Sequence, residues 1–275
     1  DYNAAALRRD GAGRCVPVIG GGPAGMQAAI VLAERGFRPI LFERRAYLGG
    51  SAVLASKAPC KGLVAEYIET QKNQLAALGV QVELNHAPTM AELRRLDPYG
   101  IFVTMGGQQI VPDIPGIDRE NVFGIEDVLL GRRAIEGREV AVIGGGHVGL
   151  EVAHFLCANN KVTIVEMADE IGASVYYITK FKLLPMLREA GVTFRTGQAI
   201  AAVDDGSIRL RDTHTGQCTE LKAEAVVLAM GSRPDLAARA AFDRNFDHVV
   251  YAGDAVRGGT MLEANRDAFA LAWEF

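Results

Sequence analysis

Val18-Ile19-Gly20-Gly21-Gly22-Pro23-Ala24-Gly25 runs an apolar strand end into G-x-G-x-x-G and then into an apolar helix through Leu32. A second apolar run, Pro39-Ile40-Leu41-Phe42, ends in Glu43, 23 residues beyond Gly20. The pattern returns at Val142-Ile143-Gly144-Gly145-Gly146-His147-Val148-Gly149, with a helix through Leu156 and a strand Val162-Thr163-Ile164-Val165 ending in Glu166. Here the acid is 22 residues beyond the first glycine. One glycine turn alone is weak evidence. Two, each with a strand before, a helix after and a carboxylate at this distance, predict tandem βαβ units that bind dinucleotides.

Each turn asks for the same physics. The first glycine permits the tight turn, the second lets backbone approach a pyrophosphate, and the third lets helix and strand pack closely. The helix N-terminus then turns free N–H groups and a positive dipole end toward phosphate oxygens. Glu43 and Glu166 close the second strands, where they can accept hydrogen bonds from ribose hydroxyls. The repeat extends beyond the acids. Leu75–Gly79 and Leu187–Gly191 each end a helix with glycine at C′ before a strand, and Ile101–Gly106 and Val226–Gly231 each run an apolar strand into Met-Gly. The four offsets are 124, 123, 112 and 125 residues, so the second copy has the shorter middle.

The rest of the composition removes other classes. The chain has 275 residues, 49% hydrophobic and 23% charged, which is ordinary globular composition. A net charge of −4 leaves no basic footprint for nucleic acid. The 31 glycines, about 11% against a usual ~7%, are concentrated in the turns above. Cys15, Cys60, Cys157 and Cys218 lie far apart without C-x-x-C, which argues against zinc, iron–sulfur or a disulfide scaffold in this chain and favours a reducing cytoplasm. Cys15–Ala33 is an uncharged run of 19 residues, but its glycines and prolines fit strand–turn–helix, not a membrane span. The opening Asp1-Tyr2-Asn3 reads as an interior start of a longer polypeptide.

VIGGGPAGMQAA, LFERRAYLGGSAVLASKAP, VPDIPGID, NVFGIEDVL, VAVIGGGHVGLEVAHFL, VTIVEM, VVLAMGSRP and VYAGDAVRGGTMLEANRDAFA together resemble the C-terminal flavin- and pyridine-nucleotide-binding part of the NADH:flavin oxidoreductases related to 2-enoate reductase and 2,4-dienoyl-CoA reductase. The resemblance runs from about Val16 to the C-terminus. It implies an α/β fold of two Rossmann-like domains, an NAD(P) domain at about 107–231 inserted into a discontinuous FAD domain at about 1–106 and 232–275. The turn-rich stretches Gly106-Gly107, Val111–Gly116 and Gly231–Pro234 mark the crossings.

The same resemblance assigns the cofactors. FAD takes the first copy, with Gly20, Gly22, Pro23, Ala24, Gly25, Glu43, Arg44, Gly49, Gly50 and Gly106 as candidates. Gly253 and Asp254 bring a carboxylate to the ribitol or pyrophosphate, and Met261 opens a last helix whose dipole would favour reduced flavin. NAD takes the second copy, with Gly144, Gly146, His147, Val148, Gly149, Glu151, Glu166, Met167 and Gly231. Glu151 matches a glutamate that faces the nicotinamide in related flavoproteins, though a core-edge role fits it as well. His147 either covers the pyrophosphate or is simply exposed. No Arg or Lys follows Glu166 in Met167-Ala168-Asp169-Glu170 to receive a 2′-phosphate, so NADH is expected over NADPH.

Several features of the family are missing. Residues 51–59 contain no cysteine, so no dithiol relay operates, and Cys60 reads as a loop cysteine without a chemical role. The N-terminal FMN barrel and iron–sulfur cysteines of full-length relatives are not in this sequence; the resemblance implies them as a domain or subunit elsewhere. The expected chemistry is hydride transfer from NADH to FAD, which needs stacking more than an acid or base, so no side-chain catalyst or metal is named. A module holding only ADP and a stand-alone NADH oxidase are the alternatives. Pro17, inside Cys15-Val16-Pro17-Val18-Ile19, leads to the expectation that the first strand starts late or is irregular.

Overall fold

The computed structural model describes residues 7–275; the opening Asp1-Tyr2-Asn3 and its reading lie outside them. In chain order the first elements are β1 (Cys15–Ile19), α1 (Pro23–Glu34), β2 (Arg38–Glu43), α2 (Gly50–Lys57), α3 (Gly62–Ala77), β3 (Gln81–Leu84), α4 (Met90–Arg95) and β4 (Ile101–Val103). There follow β5 (Gly107–Gln109), β6 (Val122–Gly124), α5 (Ile125–Leu129), β7 (Glu139–Ile143), α6 (His147–Leu156), β8 (Lys161–Val165) and α7 (Tyr177–Glu189). After these come β9 (Thr193–Arg195), β10 (Gln198–Val203), β11 (Ser207–Asp212), β12 (Cys218–Lys222) and β13 (Ala225–Leu228). The last are β14 (Ser232–Pro234), α8 (Leu236–Asp243), β15 (Val249–Tyr251) and α9 (Met261–Glu274). Two compact units result: one is the chain up to Val53 with Gly62–Gln108 and Ser232–Phe275, the other Leu54–Lys61 with Gln109–Gly231.

The first unit is built on a five-stranded parallel sheet in the order β15-β4-β1-β2-β3. Its central strands read as unbroken apolar runs because both faces are covered; Val16, Val18, Leu41 and Phe102 have no exposed surface. α1 packs against α9 and α3, which explains why Met26, Ala28, Ala29, Val31 and Leu32 are all buried, with no polar stripe among them.

Pro17 corrects the expectation drawn from it. β1 is regular from Cys15, and Pro17 sits in register opposite Ile40. The reason lies in which neighbour its nitrogen faces. The carbonyls of Cys15 and Ile19 accept from Tyr99 and Thr104 on the β4 side, whereas the Gly20 N–H donates to Phe42 of β2. Alternation therefore turns the Pro17 nitrogen toward β4, where pairing begins only at Val18 opposite Phe102. The missing donor falls at the open start of that ladder.

The second unit repeats the frame with the sheet β6-β13-β7-β8-β9, again all parallel. Between β2 and β3 the chain forms α2 and α3, whereas between β8 and β9 it forms α7 alone, which accounts for the shorter offset. It also carries an antiparallel meander, β10-β11-β12, with no counterpart in the first. Ile200, Val203, Ile208 and Leu210 of the meander form one core with Ala141, Ile143, Val226 and Leu228 of the sheet. No helix of the described residues is long and apolar enough to cross a membrane.

α9 closes the first unit through a buried cation. Arg35, 1% exposed at the end of α1, donates from Nη1 to the Ala272 and Trp273 carbonyls at 2.8 and 2.9 Å and from Nη2 to Asp10 at 2.7 Å. These carbonyls belong to the last turn of α9, which has no helical donors of its own. Replacing Arg35 by Ala takes the guanidinium donors away from the Ala272 and Trp273 carbonyls and opens a void. Urea denaturation of R35A should show a loss of roughly 2–4 kcal/mol, with R35K losing less.

Candidate nucleotide sites

The two glycine turns share the same backbone contacts at their first and third glycines. Gly20 and Gly144 hold φ of +109° and +110°, a region that favours glycine, and a Cβ on either would meet the carbonyl oxygen of Thr104 or Ala229 at 2.4 Å. A Cβ on Gly25 or Gly149 would lie 1.8 or 1.9 Å from the carbonyl oxygen of Gly20 or Gly144. Helix and strand therefore touch through these positions. Gly22 and Gly146 are different: a Cβ there meets nothing nearer than Gly50 Cα at 4.0 Å in the first case and nothing within 4 Å in the second. The protein's own packing does not require glycine at those two places. They leave open the approach that a pyrophosphate needs.

Capping sharpens the contrast. α4 and α9 begin with capping boxes, Thr89 with Glu92 and Thr260 with Glu263, and α8 begins at Asp235, whose carboxylate accepts from the Ala238 amide. α1 and α6 begin at Gly22 and Gly146 with no side-chain cap and no acid in the first turn. Their first-turn amides are left for an outside acceptor. Pro23 and Ala24 are buried in the first turn of α1.

The acids are already engaged before any ribose arrives. Glu43 Oε2 accepts from the Gly21 amide at 2.7 Å and Oε1 from the Arg45 amide at 2.8 Å. Glu166 repeats this with Gly145 at 2.7 Å and Ala168 at 2.9 Å. Both carboxylates are thus locked in orientation, and each oxygen retains a lone pair for a hydroxyl donor. Arg44, beside Glu43, is exposed, as is Met167 beside Glu166.

Around the first turn the structure gathers segments from across the chain. The Gly49 amide donates to the Gly21 carbonyl at 2.8 Å, and a Cβ on Gly50 would stand 3.0 Å from Gly22 Cα. A Cβ on Gly253 would meet Ala24 Cβ at 3.1 Å, so the late Gly253-Asp254 reaches the same place. Burial pushes the Asp254 carboxyl up, against a lowering hydrogen bond from the Gly259 amide. A desolvated carboxyl with one amide partner suits a ribitol hydroxyl. The α9 terminus is less bare than expected: Thr260 already takes the Glu263 amide at 3.2 Å, and Glu263 brings a negative charge to the dipole. The amides of half-buried Met261 and of Leu262 stay outside the helical ladder.

In the second unit Glu151 is 7% exposed and bonded to His147 Nε2 at 2.8 Å and to Lys61 Nζ at 2.6 Å. Burial works to raise its pKa, but the hydrogen bonds from His147 and Lys61 outweigh it and hold the carboxyl below the usual glutamate range. His147 is thereby tied at the first position of α6, not loose in the turn, and Lys61 is committed to Glu151, although it neighbours exposed Cys60. Val148 is 40% exposed. Gly106 and Gly231 have φ of +79° and +83°, and a Cβ on either would meet nothing within 4 Å.

Two positions escaped the sequence reading. The Gly172 amide donates to the Gly145 carbonyl at 2.9 Å, the counterpart of Gly49 on Gly21, and Ile171 lies against Gly145 as Leu48 lies against Gly21. The constant 123-residue offset from Leu48-Gly49 to Ile171-Gly172 was the available signal. Thr104 donates its hydroxyl to the Ile19 and Gly20 carbonyls at 3.0 and 2.9 Å, whereas the corresponding Ala229 has no hydroxyl to offer.

Comparison with known proteins shows the family. The family model for pyridine nucleotide-disulphide oxidoreductases matches residues 15–248, and the chain belongs to that family. It is 34% identical over 265 residues to an NADH oxidase of Thermoanaerobacter brockii, covering 94% of this chain and 40% of that protein. It is 30% identical over 263 residues to a cinnamate reductase of Clostridium sporogenes, covering 94% of this chain and 38% of the relative. Among solved structures, a 2-naphthoyl-CoA reductase aligns with a TM-score of 0.89 at 26% identity over 99% of this chain and 41% of its own. The chain is thus an oxidoreductase module for FAD and NAD(P)H, spanning about two fifths of the length of these relatives.

Gly22→Ala and Gly146→Ala should fold with less than about 1 kcal/mol lost, because their Cβ atoms have room, yet each should weaken nucleotide binding at its own turn. Calorimetric titration with FAD and NAD+ checks this. Glu151 has a depressed folded pKa, so its stabilisation is present above the ordinary glutamate value, about 4.3, and is lost as pH falls through the lower folded value. The stability advantage of wild type over Glu151→Gln should shrink in that window in denaturation curves taken at stepped pH.

Proposed function

We propose that this oxidoreductase module takes hydride from NADH onto FAD and passes the electrons to an acceptor outside the chain. FAD is assigned to the first unit and NADH to the second, following domain limits near 1–106 with 232–275 and 107–231. The observation that carries the reading is the pair of open, uncapped glycine turns, each with its acid already oriented by two backbone amides. When bound, FAD supplies a two-electron acceptor that can release its electrons singly or in pairs.

The chain's own residues bind and orient. Gly20, Gly22 and Gly25 bring the α1 amides to one pyrophosphate, and Gly144, Gly146 and Gly149 bring those of α6 to the other. Glu43 and Glu166 accept from ribose hydroxyls, and Asp254 holds the ribitol side of FAD. Glu166 favours a free 2′-hydroxyl over a 2′-phosphate, which supports NADH as the preferred donor. Glu151, held anionic by Lys61 and His147, is positioned on α6 as a nicotinamide-side acceptor. No side chain is asked to act as acid or base.

The acceptor follows from the lengths. Relatives more than twice as long support a further domain or subunit, for which an FMN and iron–sulfur barrel is our assignment. Four free cysteines support a reducing, cytoplasmic setting.

The purified chain should show flavin absorption, or take up added FAD, and should bleach without oxygen faster with NADH than with NADPH. A colourless protein that refuses FAD would replace this reading with an ADP-type binding module. Rapid oxygen uptake without another acceptor would turn it into a stand-alone oxidase.

A further inference from the structure

The loop that follows Glu166 is strapped by the meander. The Ala168 amide holds Glu166 Oε1, while the Ala168 carbonyl accepts from the Gly197 amide at 2.9 Å. Thr213 Oγ1 donates to the Gly197 carbonyl at 3.1 Å, and His214 Nε2 bonds Asp169 Oδ1 at 2.6 Å. The β11–β12 turn that presents His214 is itself rigid. Asp212 Oδ1 accepts from the His214 amide at 3.0 Å, the Thr215 amide at 2.7 Å and the Thr215 hydroxyl at 3.0 Å. Beside Glu43 the Asn85 amide ties the Arg45 carbonyl at 2.9 Å in the same way, but among the described residues of the first unit no meander adds a second turn to it.

The charges on this loop are unbalanced. Glu166, Asp169 and Glu170 supply three carboxylates within five residues, and the ion pair from Lys180 of α7 to Glu170 answers one. His214 is the titratable partner of Asp169 among the described residues, and the carboxylates of Asp169 and Asp212 both face it. Neutral, His214 leaves the loop strongly acidic; protonated, it sets a cation against Asp169 on the loop that follows Glu166 and so lowers the repulsion that the loop would offer a 2′-phosphate.

We propose that His214 is a specificity-determining residue, whose protonation relaxes the discrimination against a 2′-phosphorylated pyridine nucleotide. The inference rests on the assignment of a pyridine nucleotide to the second unit. Hydrogen bonding to Asp169 raises the His214 pKa, with the same carboxylate's charge adding to it, so the protonated form persists to higher pH than in a free imidazole. As pH rises through that value the cation is lost and the preference for the free 2′-hydroxyl sharpens. Because both His214 and Asp169 are largely exposed, the effect has the size of one solvent-screened charge, about two- to fivefold.

Two measurements on the full 275-residue chain test this. Calorimetric Kd values for NADP+ and NAD+ at about pH 6 and about pH 8 give a preference ratio, compared between wild type and His214→Ala. The comparison removes the titration of the nucleotide's own phosphate, near pH 6. Wild type should shift toward NADP+ at the lower pH about two- to fivefold more than the variant. The second measurement is the His214 imidazole titration by NMR. Linkage requires that saturating NADP+ raise the His214 pKa more than NAD+ does, and that Asp169→Asn lower it in the free protein. A merely structural strap would show no difference between the two nucleotides. Equal pH dependence in wild type and His214→Ala, or identical His214 titrations with both nucleotides, overturns the inference while leaving the NADH reading intact. Failure of wild type to bind either nucleotide overturns the assignment on which both depend.

Discussion

Each glycine turn depends on the absence of a side chain at one contact. A Cβ on Gly25 would sit 1.8 Å from the Gly20 carbonyl oxygen, and one on Gly149 would sit 1.9 Å from that of Gly144. Because the contact is bare, α1 can descend onto β1 and α6 onto β7, with their N-termini beside the carboxyl ends of the strands. Everything else in the sites is placed by that approach. It brings Gly21 within 2.7 Å of Glu43 and Gly145 within 2.7 Å of Glu166, and it leaves the second glycine of each turn facing open space.

The two units then diverge in what surrounds the shared turn. In the first, the chain returns after a long interval, so that Gly253 lies against Ala24 and Asp254 is left as a desolvated carboxyl. In the second, a meander covers the sheet and ties down the loop behind the acid. The proposed assignment matches this difference: a flavin kept along its length would suit the site closed by a distant segment, and a nicotinamide nucleotide exchanged at every turnover would suit the site tied at its ribose loop.

Glu151 shows how packing turns a residue type into a function. Its burial alone would favour the neutral acid, yet Lys61 and His147 reverse that balance. The same pair of contacts ties Lys61 and fixes the His147 ring. A buried carboxylate held by Lys61 and His147 is costly to break by removing one of them, since the desolvated group then loses a partner. The arrangement therefore holds α6 and the Leu54–Lys61 segment as one body within the second unit.

From the sequence by itself the two strand–turn–helix frames, their glycines and their terminal acids could be read, because each is encoded within about 25 residues by apolar periodicity and the conformational freedom of glycine. The parallel-sheet class followed from the same pattern. Pro17 misled because a proline's effect depends on which neighbour its nitrogen faces, and that is a property of the sheet. Only the tertiary structure decided that Gly253 closes on Ala24, that Lys61 pairs with Glu151, that Gly172 repeats Gly49 and that His214 straps the loop behind Glu166. These are contacts between segments far apart in the chain, and no local period records them; they are selected by packing and by the pairing of buried polar groups.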